Sequence, residues 1–122
     1  MIKIDKIEWL SEEAKEAEVY ISDENFNIIC FACPLDQDVG DEVPLPLYTL
    51  HAEHIYLLKD EKVFSIEKEG TGFAYSLSGC VIDKDNSQVK VGEFILELDS
   101  PLPGDIEIGD YVSFVCARID IC

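Results

Sequence analysis

The sequence is poor in positive charge. Nine lysines and arginines face 26 aspartates and glutamates, which leaves a net charge of −17. Nucleic-acid surfaces are built from Lys and Arg that displace counterions from phosphates. Here the basic residues are scattered one by one from Lys3 to Arg118, which argues against a nucleic-acid partner. No apolar run approaches the roughly 20 residues of a membrane span, so a membrane partner is not expected either. The opening segment, MIKIDKIEW, alternates charged and apolar residues and lacks the apolar stretch of a secretory signal. There is no Asn-x-Ser/Thr glycosylation acceptor. The five cysteines, at 30, 33, 80, 116 and 122, are an odd number. Without a secretion signal they read as reduced thiols, and the expected location is cytoplasmic.

What is present suits one folded domain over residues 1–122. A chain of this length buries roughly two-thirds of its unfolded surface, and 48% of the residues are hydrophobic, too many for a disordered acidic tail. The acidity has two readings. Acidic residues promote solubility, and a negative field also steers a basic partner.

Most segments carry a period of two, the signature of strands. Ile2 and Ile4 alternate, and Ile7 and Trp9 continue in the opposite phase, which predicts a bulge or bend at Asp5–Lys6. EVYIS (18–22) and FNIICFA (26–32) read as a hairpin. IYLLK (55–59) and KVFSI (62–66) flank Asp60–Glu61 as a second hairpin. GFAYSLSGCVID (72–83) places Phe73, Tyr75, Leu77 and Val81 on one face. QVKVGEFILEL (88–98) slips phase at Gly92–Glu93, again bulge-like. YVSFVCARIDI (111–121) is the last long strand. Trp9, Tyr20, Phe31, Tyr75 and Phe114 are core candidates. Helix is scarce. Residues 11–18 offer one or two turns with Ser11 as N-cap, and PLYTLHAEHI (46–55) has apolar residues at helical spacing after Pro46. The expected class is therefore all-β, with one or two short helices, as a small barrel or sandwich.

One pattern occurs twice. PLDQDVGDEV (34–43) and PLPGDIEIGDYV (101–112) each read Pro-Leu, an acid, then Gly-Asp-x-Val. Each follows a strand–turn–strand unit, which points to an internal duplication. The pairs Gly40-Asp41-x-Val43 and Gly109-Asp110-x-Val112, the expected bulge at Gly92 and the helix expected near 46–53 resemble, in style, small barrels of the oligonucleotide/oligosaccharide-binding type. That OB-like resemblance implies single-strand or ligand binding. The basic face such binding needs is missing here.

CFACP (30–34) raises a metal or redox reading for Cys30 and Cys33, with His51 and His54 as further ligands. On a regular strand the two cysteines point to opposite faces, with Cα atoms roughly 10 Å apart. One zinc ion holds each sulfur at about 2.3 Å. No Gly-containing knuckle is present, and thioredoxin-type chemistry wants the first cysteine at a helix N-terminus. The structural alternative is small buried hydrophobes, and no cofactor is expected. The same residues as a Cys–His nucleophilic pair is a weaker reading. Asp83, Asp85 and Ser87 have calcium-loop spacing but lack the central glycine, so a polar hairpin tip is the simpler reading. EGTGF (69–73) has no following Lys-Ser/Thr and reads as a flexible turn.

These readings favour a non-enzymatic acidic binding module that works by protein–protein contact. In size and acidity the chain is similar to bacterial immunity proteins, which inhibit basic enzymes. The expected partner surface is Asp36, Asp38, Asp41, Glu42, Asp105 and Asp110, facing a basic protein. A small metal-binding or enzymatic domain using Cys30/Cys33 and His51/His54 is the alternative.

Overall fold

Alternating apolar residues organise this chain from end to end. The structure, a computed structural model, describes residues 1–121. Eleven strands appear in it: β1 (Lys3–Ser11), β2 (Glu16–Ser22), β3 (Asn27–Ala32), β4 (Leu47–Leu50), β5 (Glu53–Leu58), β6 (Ser65–Lys68), β7 (Tyr75–Asp83), β8 (Gln88–Val91), β9 (Phe94–Glu97), β10 (Tyr111–Cys116) and β11 (Arg118–Asp120). No helix occurs among the described residues, so none is long and apolar enough to cross a membrane.

The strands run in the order β1-β2-β3-β11-β4-β9-β8-β7-β10-β5, with β6 beside β7. The path does not return to β1. The closed barrel considered from the sequence is therefore not formed, and the domain is an open, sandwich-like all-β fold. One face of each strand turns inward. β2 alternates Ala17, Val19 and Ile21 into the core, and β10 alternates Val112, Phe114 and Cys116. These join Leu77, Val81, Phe94, Leu96 and Ile119 in one cluster. Two contacts fix how the sheet folds over itself. The Ile29 amide of β3 donates to the Tyr75 hydroxyl of β7 at 2.8 Å. The β8–β9 turn lies against the β2–β3 turn, where Asp23 accepts from the Glu93 amide at 3.0 Å.

Both expected helices are replaced by strand and turn. β1 continues to Ser11, pairs Trp9 with Ala17 and Ser11 with Glu16, and leaves only residues 12–15 for a turn. The Ser11 hydroxyl still accepts from the Ala14 amide, at 3.3 Å, but it braces a turn rather than a helix. In 46–55, Leu47 and Thr49 are buried at a spacing of two. The chain then bends at His51–Ala52 and continues in the same direction into β5, which lies antiparallel to β10 as β4 does to β11. The helical spacing of Leu47, Leu50, His51, His54 and Ile55 was coincidental: Leu47 is buried and Leu50 and Ile55 half-buried, but His51 and His54 are exposed.

Asp5 is the extra residue of a bulge between the Ile4–Ile21 and Lys6–Tyr20 pairs, as the phase slip predicts. The slip at Gly92–Glu93 has a different cause: Val91 pairs with Phe94, so these residues form a two-residue hairpin turn rather than a bulge. The hairpin expected across Asp60–Glu61 is also absent. β5 pairs with β10 and β6 with β7, because Val112 and Leu77 stand in better-buried strands than a local partner would offer. The last strand breaks at Ala117, whose amide turns to the Leu50 carbonyl. Trp9 is not core: it lies 43% exposed near the end of β1.

Candidate functional site

The two Pro-Leu…Gly-Asp segments have the same construction. Leu35 and Leu102 are buried and anchor their starts. In the first, the Asp41 carboxylate accepts from the Asp38 amide at 2.8 Å, and the Asp41 amide donates to the Asp38 carbonyl at 3.0 Å. In the second, the Asp110 carboxylate accepts from the Glu107 amide at 2.9 Å, and the Asp110 amide donates to the Glu107 carbonyl at 3.1 Å. Gly40 and Gly109 hold φ of 91° and 96°, a region that L side chains seldom adopt.

Each turn then docks on the edge of a strand in the same way. Gly40 donates to the Ile4 carbonyl at 2.8 Å, and Ile4 donates to the Asp41 carbonyl at 3.0 Å. Gly109 donates to the Val81 carbonyl at 2.9 Å, and Val81 donates to the Asp110 carbonyl at 2.8 Å. Ile4 and Val81 are each followed by a bulged residue, Asp5 and Ile82. Beyond the turns, Glu42 bridges to Lys3 and Tyr111 pairs with Cys80. The units β1–β2–β3 and β7–β8–β9 thus carry equivalent turns on their first strands, as an internal duplication would.

Each turn projects an aliphatic tip between acids. Val39 is 60% and Ile108 65% exposed. Asp36, Asp38, Asp41, Glu42 and Asp105 are exposed and Asp110 is half-buried. No hydrogen bond or ion pair among the described residues joins residues 36–42 to 104–110. The surroundings of the two turns also differ. Lys84 holds the second through the Gly104 carbonyl at 3.1 Å and Glu107 at 3.2 Å. Around the first, Lys15 approaches Asp36 only at 3.6 Å, with both side chains in solvent, an arrangement worth little.

The first turn also runs into an apolar shelf that the sequence pattern does not single out. Pro44, Leu45, Pro46 and Tyr48, with Ile121 behind, line one shallow hollow. Gln37, Glu42 and Val43 line a second that shares Pro44 and Leu45 with it. Leu45 and Tyr48 are exposed. The available signal was P-L-P-L-Y directly after an acidic turn: two prolines remove ladder donors, so the segment stays outside the sheet until Leu47.

The cysteine and histidine candidates are placed apart in character. Cys30 is fully buried in β3, and burial pushes its thiol well above the ordinary value. Cys33 is exposed beyond the strand, with its sulfur 3.8 Å from the Ala14 carbonyl. His51 and His54 are exposed with φ of 55° each. Among the described residues no three His, Cys, Asp or Glu side chains form a metal-binding group, and Cys30, Cys33, Cys80 and Cys116 form no disulfide. Cys122 lies outside the described residues. Asp83 accepts from the Asn86 amide and side chain, which closes a hairpin tip around Asp85. In the 69–73 loop the Lys68 ammonium donates to the Gly72 carbonyl.

A separate cleft of about 460 Å³ opens between β2, β3 and β6, with Lys6, Lys68, Tyr20 and Tyr75 among its lining. Its cations are already engaged. Lys6 bonds Glu8 at 2.7 Å and lies over the Tyr20 ring, and Lys68 lies over Tyr75. Arg118 is likewise held by Asp120 at 2.7 and 3.0 Å against the Phe31 ring.

Compared with known proteins, the chain matches no family model, no curated protein and no solved structure.

Proposed function

We propose that this chain is a non-enzymatic binding module that acts by protein–protein contact. A basic protein docks on the acidic turn at 36–42 and on the shelf of Pro44, Leu45 and Tyr48 beside it. The observation that carries the reading is this adjacency: a turn braced by its own aspartate leads through Glu42 into an exposed proline–leucine–tyrosine surface. Interfaces combine an apolar, often aromatic centre with a polar rim. Rigid turns lower the ordering cost of binding. Net charge of −17 supplies long-range attraction for a cationic partner. Inhibition of a basic enzyme, in the manner of an immunity protein, is the most concrete form of this function, and the unpaired thiols suit a cytoplasmic setting.

Affinity capture with the immobilised chain tests the reading. Wild type is expected to retain a protein of high isoelectric point. The double variant Leu45→Ala/Tyr48→Ala is expected to lose it during washing, because truncated anchors act mainly on dissociation. Capture of no basic protein, or equal retention by the variant, would contradict it.

A further inference from the structure

The two ends of the sheet are finished differently. The start of β1 is covered by the first Gly-Asp turn, which bonds Ile4 on both its amide and its carbonyl, and the Asp5 bulge twists the rest of that strand. β5, at the other end, pairs with β10 alone. Among the described residues no backbone group of Glu53–Leu58 bonds to anything on the side away from β10.

The side chains of β5 do not protect that edge. Edge strands are commonly guarded by lysine, proline, inward-pointing charge or a covering loop. Here Ile55, Tyr56, Leu57 and Leu58 follow one another without a charge. None is fully buried, whereas β10 beside it buries every second residue. Tyr56 is 62% exposed. One irregularity, an extra residue of β5 opposite Ser113–Val115, falls around His54 and leaves 55–58 regular.

We infer that the free edge of β5 pairs with β5 of a second copy of this chain, antiparallel across a two-fold axis perpendicular to the sheet. Such an axis keeps outward faces outward, so paired residues must have the same facing. Setting Tyr56 opposite its own symmetry mate satisfies this. Ile55 then faces the partner's Leu57 on either side of the axis, and the interface carries no charge from Ile55 to Leu58. It is independent of the acidic turn, and the two respond oppositely to salt. Two copies of charge −17 repel each other, so screening strengthens the self-pairing, whereas docking of a basic protein weakens.

Sedimentation velocity of the full chain at about 100 µM, at ionic strengths near 0.02 M and 0.3 M, tests this. The mass is expected to move from 13.7 kDa toward twice that value as salt rises. Tyr56→Lys sets two ammonium groups face to face and is expected to stay monomeric at both ionic strengths. Leu10→Lys, the same charge change at the opposite end of the sheet, is expected to dimerise as wild type does. Far-ultraviolet spectra confirm that each variant folds, as an exposed tyrosine or leucine should allow. A wild-type mass of 13.7 kDa throughout, or a dimer that survives Tyr56→Lys, overturns the inference.

Discussion

Asp41 and Asp110 close two separate turns with the same bond. Each carboxylate accepts from the amide three residues earlier, at 2.8 and 2.9 Å. In each case the following backbone docks on a bulged strand, at Ile4 or Val81. The recurrence of Pro-Leu…Gly-Asp in the sequence is therefore a recurrence of construction. It also divides the acids: Asp41 and Asp110 brace, while Asp36, Asp38 and Glu42 lie exposed.

Removing the brace should loosen the turn. Asp41→Ala and Asp110→Ala are each expected to lower unfolding stability by roughly 0.5–1 kcal/mol, the net worth of an ordinary hydrogen bond. Asp41→Asn keeps an acceptor oxygen and should cost less. Urea midpoints at constant slope measure the difference. Alanine variants as stable as wild type would remove the bracing role.

Gly92 should not tolerate a side chain. A Cβ there would meet the Asp23 carboxylate at 2.7 Å and the Phe26 ring at 2.9 Å, and the backbone holds a φ of 60°. Gly92→Ala is expected to cost roughly 1–3 kcal/mol and to lower the thermal midpoint. Gly104→Ala, with open space around the added carbon, should leave it unchanged. Equal midpoints would mean that the contact between the β2–β3 and β8–β9 turns does not constrain the fold.

Two carboxylates should make the fold acid-sensitive. Burial raises the Asp23 carboxyl, but amides of Glu93, Asn25 and Phe26 outweigh it and hold the group below its ordinary 3.8. Asp99 is partly desolvated too, yet the amides of Ala52 and His51 and the Thr49 hydroxyl hold it low. A carboxyl depressed on folding adds stability that is full above its unfolded value and lost as pH falls through the folded one. Thermal midpoints should therefore drop as pH passes below 3.8, and less steeply in Asp23→Asn and Asp99→Asn. An unchanged acid slope in both variants would contradict the assignment.

Much of the sheet was legible because alternation reports a buried face directly. Tyr75 and Phe114 were read as core and are buried, but Tyr20 and Phe31 lie half-buried on the faces opposite Val19 and Cys30. The β2–β3 hairpin was legible too, but pairing between strands distant in sequence was not. β5 and β6 look like a hairpin locally, but β10 and β7 bury them better, and that choice depends on residues distant in sequence. The expected helix at 46–55 failed for a similar reason: the bend at His51–Ala52 is held by Asp99, far along the chain. In the candidate site the acids were visible as charge. The shelf of Leu45 and Tyr48 was not, because exposure of a leucine or tyrosine is a property of the folded surface.

The thiols should separate by burial. Burial pushes the Cys116 thiol up to about 12, and the Cys30 thiol rises well above its ordinary value. In a background with Cys80 and Cys122 replaced by serine, one thiol, Cys33, should react with a disulfide reagent in the native protein. The other two should react only after unfolding. Three fast thiols under native conditions would show that β3 and β10 are not packed as described.

The central claim is that the acidic turn and its apolar shelf dock a basic protein. Its most direct test is the association rate of the captured partner with wild type and with the triple variant Asp36→Lys/Asp38→Lys/Glu42→Lys, followed across ionic strength. Rim charges act chiefly on encounter. Wild-type association should be fast at low salt and fall as salt rises, while the variant should associate slowly with a flat salt dependence and an unchanged fold. Equal rates and equal salt slopes for the two proteins would contradict the claim and leave the −17 as a solubility feature alone.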